Sequence, residues 1–164
     1  MKNRIAKKVC AAALAGLMTM ALVPTSVFAA GTMTIGVTSF ADTLEPTEQY
    51  FSWVISRYGV GQGLTKFDEE GNMVPCLATE WTNSEDGKTW TFTIREGVKF
   101  SNGNDMTPEL VKASLERTIE MSNRVPEFFD IAGIDVDGQN VIFNLNRANA
   151  NMAGCLADPL FLIM

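Results

Sequence analysis

The chain of 164 residues contains no histidine. That removes His-based catalytic triads and His-ligated metal sites from what it can build by itself. Cysteine is scarce as well, with three residues in all. Cys10 lies near the start, and Cys76 and Cys155 sit in apolar flanks (Val74-Pro75-Cys76-Leu77 and Gly154-Cys155-Leu156). Those flanks favour two buried free thiols, while a disulfide between them stays open as the alternative. Basic residues are outnumbered, 13 against 19 acidic ones. Four of the 13, Lys2, Arg4, Lys7 and Lys8, fall in the first 30 residues, which hold no acidic residue. The remainder carries nine basic and 19 acidic side chains, a net charge of −10. Binding to nucleic acid needs clustered Lys and Arg to neutralise phosphate, so nucleic acid is excluded as the expected partner. The same balance disfavours adsorption to anionic membranes.

Long apolar runs are also lacking, with one exception. Val9 to Val23 is apolar, follows the four basic residues, and is ended by Pro24; Val27-Phe28-Ala29 then offers small residues at a cleavage site. A basic segment, an apolar segment and a small-residue site make a secretory signal peptide. The run of about 15 residues falls short of the ~20 a membrane-spanning helix needs. Residues 1–30 are therefore expected to be removed, with cleavage after Ala29 or Ala30. Cys10 precedes most of the apolar run, so no lipid anchor is expected. At the other end, Leu160-Phe161-Leu162-Ile163-Met164 is apolar with no polar turn after it. A buried strand needs partners on both sides, and the chain is read as part of a longer protein.

Between these ends the pattern is mixed α+β. Met33 to Thr38 is expected as a short strand. Thr47 to Tyr58 is expected as a helix, because Phe51, Val54, Ile55 and Tyr58 recur at helical spacing. Leu64 to Phe67 is expected as a strand, with a turn at Glu69–Asn72. A hairpin opens at Trp81, turns at Ser84–Gly87 and continues over Thr89 to Arg95; Trp90, Phe92 and Ile94 alternate with threonines and so share a buried face. Val98 to Phe100 is expected to extend it. Thr107-Pro108-Glu109 is a helix start: a capping hydroxyl, a proline at the first position and an acid near the positive end of the dipole. Val111, Leu115, Thr118 and Ile119 form the buried stripe of that helix. A second hairpin is expected at Ile134 to Leu145, turning near Asp137-Gly138, then a helix from Asn149 to Ala157 and a final strand.

Motifs that carry chemistry fail on spacing. Gly59-Val60-Gly61-Gln62-Gly63 lacks the G-x-G-x-x-G order and follows a helix rather than a strand. Asp135-Val136-Asp137-Gly138 has its glycine two places too early for a calcium loop. Asp68-Glu69-Glu70 and Ser84-Glu85-Asp86 lie in polar turns, whereas a carboxylate doing acid–base work needs an apolar setting. No catalytic residue, metal ligand or cofactor site is expected.

Several stretches together resemble family 5 of the extracellular solute-binding proteins of bacterial ABC importers, the peptide/nickel-binding type. They are Leu44-Glu45-Pro46, Gly63-Leu64, the block from Val74 to Trp81, and above all Asp86-Gly87-Lys88-Thr89-Trp90-Thr91-Phe92-Thr93-Ile94-Arg95-Glu96-Gly97-Val98-Lys99-Phe100-Ser101-Asn102-Gly103, followed by Thr107–Val111. The resemblance implies a periplasmic-binding-protein-like fold of class II with an extra lobe. On that reading 1–30 is the signal peptide, 31–62 starts the first ligand-binding lobe and 63–164 is mostly the extra lobe. It implies no enzyme but an exported carrier that captures oligopeptides and hands them to an ABC permease and its ATPase. A nickel- or metal-chelate carrier of the same family, or a fragment of a secreted hydrolase, are the alternatives. It also places Gln49, Tyr50, Val54 and Arg124 near the ligand cleft, Arg124 where the nickel branch has a chelate-clasping arginine. Two positions depart from the pattern. Ser101 stands where an aspartate or histidine is usual, and Leu160 lies where a second arginine would.

Overall fold

The computed structural model describes Gly36, residues 42–48 and residues 50–164. The expected signal peptide, the expected strand Met33 to Thr38 apart from Gly36, and Gln49 lie outside the described residues.

The framework is a four-stranded antiparallel sheet in the order β3-β4-β6-β5, made from β3 (Ala78–Asn83), β4 (Thr89–Ile94), β5 (Ile131–Asp137) and β6 (Asn140–Leu145). The strict alternation in β4 buries Trp90, Phe92 and Ile94, with Phe92 fully enclosed, and β6 buries Val141, Phe143 and Leu145 in the same way. The two hairpins are joined where β4 meets β6, with Trp90 opposite Phe143 and Phe92 opposite Val141. Phe92 packs edge-on to Phe143 at 5.5 Å between ring centres, a geometry aromatic quadrupoles favour. Gly87 (φ +66°) closes the first hairpin and Gly138 (φ +57°) the second; both adopt a left-handed backbone that side-chain-bearing residues resist. Asp86 reinforces the first turn by accepting bonds from the Ser84 hydroxyl and Lys88 N–H, and the former holds its carboxyl below the ordinary range.

One long helix packs on this sheet. Here α1 is Phe51–Arg57, α2 is Pro108–Met121 and α3 is Met152–Cys155. Thr107 caps α2 by accepting the Leu110 N–H at 3.3 Å, and Pro108 takes the first helical position. Val111, Leu115 and Thr118 are buried under it, while Ile119 is half-buried. Lys112 reaches back to donate to the Ile134 carbonyl at 2.6 Å, tying helix to sheet. A separate two-stranded hairpin, β1 (Thr65–Phe67) with β2 (Met73–Pro75), turns through Asp68–Asn72, where Asp68 accepts the Asn72 N–H at 2.7 Å.

Four segments differ from the sequence expectation. Helix α1 starts at Phe51 rather than Thr47, because the Thr47 N–H and hydroxyl both bond the Glu45 carboxylate and hold that stretch as a turn. Val98 to Phe100 forms no strand; a single bridge from Lys99 to Asp105 is its only ladder contact among the described residues. The helix expected from Asn149 to Ala157 is confined to Met152–Cys155. Leu160 to Met164 is not a strand: Pro159–Phe161 is a 3₁₀ turn capped by Asp158 accepting the Leu160 N–H at 2.9 Å. Leu160, Phe161, Leu162 and Ile163 are buried all the same, so their apolarity reports burial rather than strand geometry. Cys76 and Cys155 are free and half-buried, and burial pushes the Cys155 thiol up.

Candidate ligand-contacting site

Tyr50 immediately precedes α1, and Arg124 sits between the end of α2 and the 3₁₀ turn Val125–Glu127. They are far apart in sequence, yet the fold brings them together. The Arg124 guanidinium carbon lies 4.8 Å from the centre of the Tyr50 ring and 5.9 Å from that of Phe128. Both fall within the range where a cation is attracted to an aromatic face. Backbone bonds fix the Arg124 main chain: its N–H donates to the buried Ser122 hydroxyl at 3.3 Å, and its carbonyl accepts the Glu127 N–H at 3.0 Å.

The charge itself is held differently. Among the described residues no carboxylate pairs with Arg124, Glu127 included, and its Nη1 is buried without a hydrogen-bond partner. An orphaned buried donor costs about 1–3 kcal/mol. Two cation–π contacts, each about 0.5–2 kcal/mol depending on exposure, are of the size needed to offset it. The result is a guanidinium without a protein counter-charge among the described residues, a group whose planar fork matches a carboxylate in shape and charge.

Of the other candidates, Val54 is half-buried and packs against the small cluster of Ile55 and Leu162 with Phe51. Tyr50 is 67% exposed. Phe128 was not anticipated; one aromatic after Pro126 carries no sequence signal that separates it from core residues such as its neighbour Phe129. The Glu45–Arg117 pair was not anticipated either. Glu45 accepts two bonds from the Arg117 guanidinium on α2, one at 3.1 Å, and the bonds from Arg117, then those from Thr47, lower its pKa to about 2. This pair clamps the segment before α1 onto α2, the two elements that deliver Tyr50 and Arg124.

A broader groove of about 670 Å³ lies between the Gly59–Gln62 turn and the Ser101–Asn104 turn, lined by apolar side chains including Leu44, Val60, Phe100, Met106 and Leu110. Among the described residues, no cluster of three or more acidic, cysteine or histidine side chains is arranged to hold a metal ion.

The family of bacterial extracellular solute-binding proteins, family 5 Middle, matches residues 72–164. Similarity to individual proteins agrees. A nickel-binding periplasmic protein of Escherichia coli K12 is 43% identical over 65 residues, which is 40% of this chain and 12% of that protein. A glutathione-binding protein of Escherichia coli O6:K15:H31 is 32% identical over 145 residues, covering 85% of this chain and 28% of that one. The solved nickel ABC transporter protein of Bacillus halodurans superposes with a TM-score of 0.69 at 33% identity, over 74% of this chain and 25% of its own. The present chain thus spans between about an eighth and just over a quarter of the length of these relatives. Its α+β architecture is that of the periplasmic-binding-protein fold seen in such structures. The chain belongs to family 5 of the bacterial extracellular solute-binding proteins.

Proposed function

We propose that the protein to which this chain contributes is an exported carrier that captures a small carboxylate-bearing solute, an oligopeptide, and delivers it to an ABC permease and its ATPase. Residues 31–62 begin a ligand-binding lobe, 63–164 form most of an extra lobe, and capture proceeds by hinge closure of two lobes around the solute. The observation that carries this reading is the Arg124 guanidinium, held against Tyr50 with no carboxylate partner among the described residues. A peptide ends in a carboxylate, and a planar guanidinium recognises that group with two donors at once. The similarity to a glutathione-binding protein over most of the chain supports a peptide ligand. Similarity to proteins named for binding also favours a carrier over a hydrolase.

A second reading, a nickel or metal-chelate carrier, is favoured by the higher identity to the nickel-binding protein over a shorter stretch. Amino-acid chelates also present carboxylates, so Arg124 serves both readings. The family resemblance implies a second chelate-clasping arginine near Leu160, and its lack there weakens the nickel reading.

Calorimetry on the whole protein tests the proposal. Arg124→Ala should weaken a tripeptide with a free carboxylate by about 30-fold or more, as expected when one partner of a desolvated charge pair is removed. Thermal stability should stay nearly unchanged, because the lost ring contacts and the removed orphaned donor are of similar size and opposite sign. Unaltered affinity would remove Arg124 from the site. Tight binding of a nickel–histidine chelate with none of the peptide would select the second reading.

A further inference from the structure

We infer that Phe128 and Tyr50 are positioning residues for Arg124: their ring faces, in place of a protein carboxylate, hold the guanidinium so that no acidic side chain competes with the carboxylate of an incoming solute. This rests on the carboxylate-binding reading above.

A partly buried arginine is ordinarily neutralised by an acidic side chain, which also occupies its donors. Such a partner would compete directly with a ligand carboxylate. Glu127 is only three residues away, yet it makes no ion pair with Arg124, and the cation rests on rings instead. A ring face attracts the charge without taking a hydrogen bond from it in the guanidinium plane. The fork stays oriented and carries no protein counter-charge, which is preorganisation for an anion.

The two rings are supported unequally. Phe128 is anchored: its ring packs edge-on to the buried Phe161 at 5.2 Å and 86°. Its carbonyl accepts from Asn149 Nδ2 at 3.1 Å and from the Cys155 thiol at 3.5 Å. Asn149 is in turn fixed by the Trp90 indole N–H, which donates to its carbonyl at 3.0 Å. A chain of contacts therefore runs from the sheet through Asn149 and Phe128 to the guanidinium. Tyr50 is mostly exposed and precedes a short helix, so it covers the cation from a looser mount. Phe128 is the fixed ring of the pair, and Tyr50 is the nearer one.

The test measures affinity of the whole protein for trialanine, for trialanine amide and for a Ni(II)–histidine chelate, in the wild type and in Tyr50→Leu, Phe128→Leu, Phe128→Tyr and Arg124→Ala. Each leucine variant should weaken the tighter-binding carboxylate probe by about 2- to 30-fold, the range of one cation–π contact. Binding of the amide should change less than about twofold by the same reasoning, and Phe128→Tyr, which keeps a ring face, should bind as the wild type does. A purely packing role would weaken acid and amide alike, and that result overturns the inference. Should Phe128→Leu fail to fold, Tyr50→Leu at its exposed position decides the matter alone. Loss of binding in Arg124→Ala with unchanged affinity in Tyr50→Leu also overturns the inference while leaving the carboxylate site intact. An Arg124→Ala variant that binds normally, or a wild type that binds none of the three probes, overturns the carboxylate site and the positioning role together.

Discussion

Replacing Glu45 by glutamine removes one charge from the clamp between the segment before α1 and helix α2. The carboxylate is 84% shielded by its surroundings, accepts two bonds from Arg117, and takes two more from Thr47 at 2.6 and 3.1 Å. These bonds lower its pKa from the ordinary 4.5 to about 2. At 1.36 kcal/mol per pH unit, a shift of that size corresponds to about 3 kcal/mol if nothing screens it. Arg117 is 45% exposed, so water screens the pair and about 1–2 kcal/mol is the expected contribution. The sign follows from linkage. A carboxylate whose folded pKa is lowered stabilises the fold fully above its unfolded value, and that stabilisation is lost as pH falls from about 4.5 through about 2. Urea unfolding of wild type and Glu45→Gln should therefore differ by about 1–2 kcal/mol at pH 7 and pH 5.5, with the gap narrowing by about pH 3 and vanishing below the folded pKa. A gap that stays constant from pH 7 to pH 3 would show that the charge is not what matters. A gap under about 0.3 kcal/mol at pH 7 would show that the clamp is an ordinary surface pair.

Trp90 is 6% exposed, and its indole N–H is bonded to Asn149, so Trp90→Ala should destabilise by about 3–5 kcal/mol in chemical denaturation; a loss below about 1 kcal/mol would contradict the β4 register. Thr107→Ala removes the hydroxyl that accepts the Leu110 N–H and should cost about 1 kcal/mol, while Thr107→Ser should restore most of it. N-terminal sequencing of the exported protein should begin at Ala30 or Gly31, and a start at Met1 would contradict the signal-peptide reading.

What the sequence made legible was local. Alternation over Thr89–Ile94 and Val141–Leu145 identified which side chains turn inward, because a strand's period of two leaves no other choice once one face is buried. Thr107-Pro108 marked the start of α2 because a cap and a first-turn proline act within three residues. Short elements escaped: β2 has three residues and ends on a proline, too little for any period to show. The apolar end misled because Leu160 to Ile163 are buried by packing around a 3₁₀ turn, and burial alone does not distinguish backbone types. The pairing of β4 with β6 was not legible, since it joins segments about fifty residues apart through tertiary packing. Tyr50 and Arg124 were named from family resemblance, not from any pattern between them. The Glu45–Arg117 clamp and Phe128, found beside their contact, leave no periodic trace either.

The seam between β4 and β6 has a consequence for how the chain is made. The first hairpin is complete at Ile94, but the strand that covers its open edge ends at Leu145. Synthesis at about 5–20 residues per second leaves an interval of roughly 3–10 s in which β4 has emerged without β6. During that interval Trp90, Phe92 and Ile94 form an aromatic-rich patch with no lid, since helix α2 and β6 both follow in the chain. A nascent chain in this state offers a hydrophobic surface beside an unpaired strand edge, the combination that promotes aggregation and that holding chaperones shield. The same seam that locks the finished sheet is thus left open until β6 has been made.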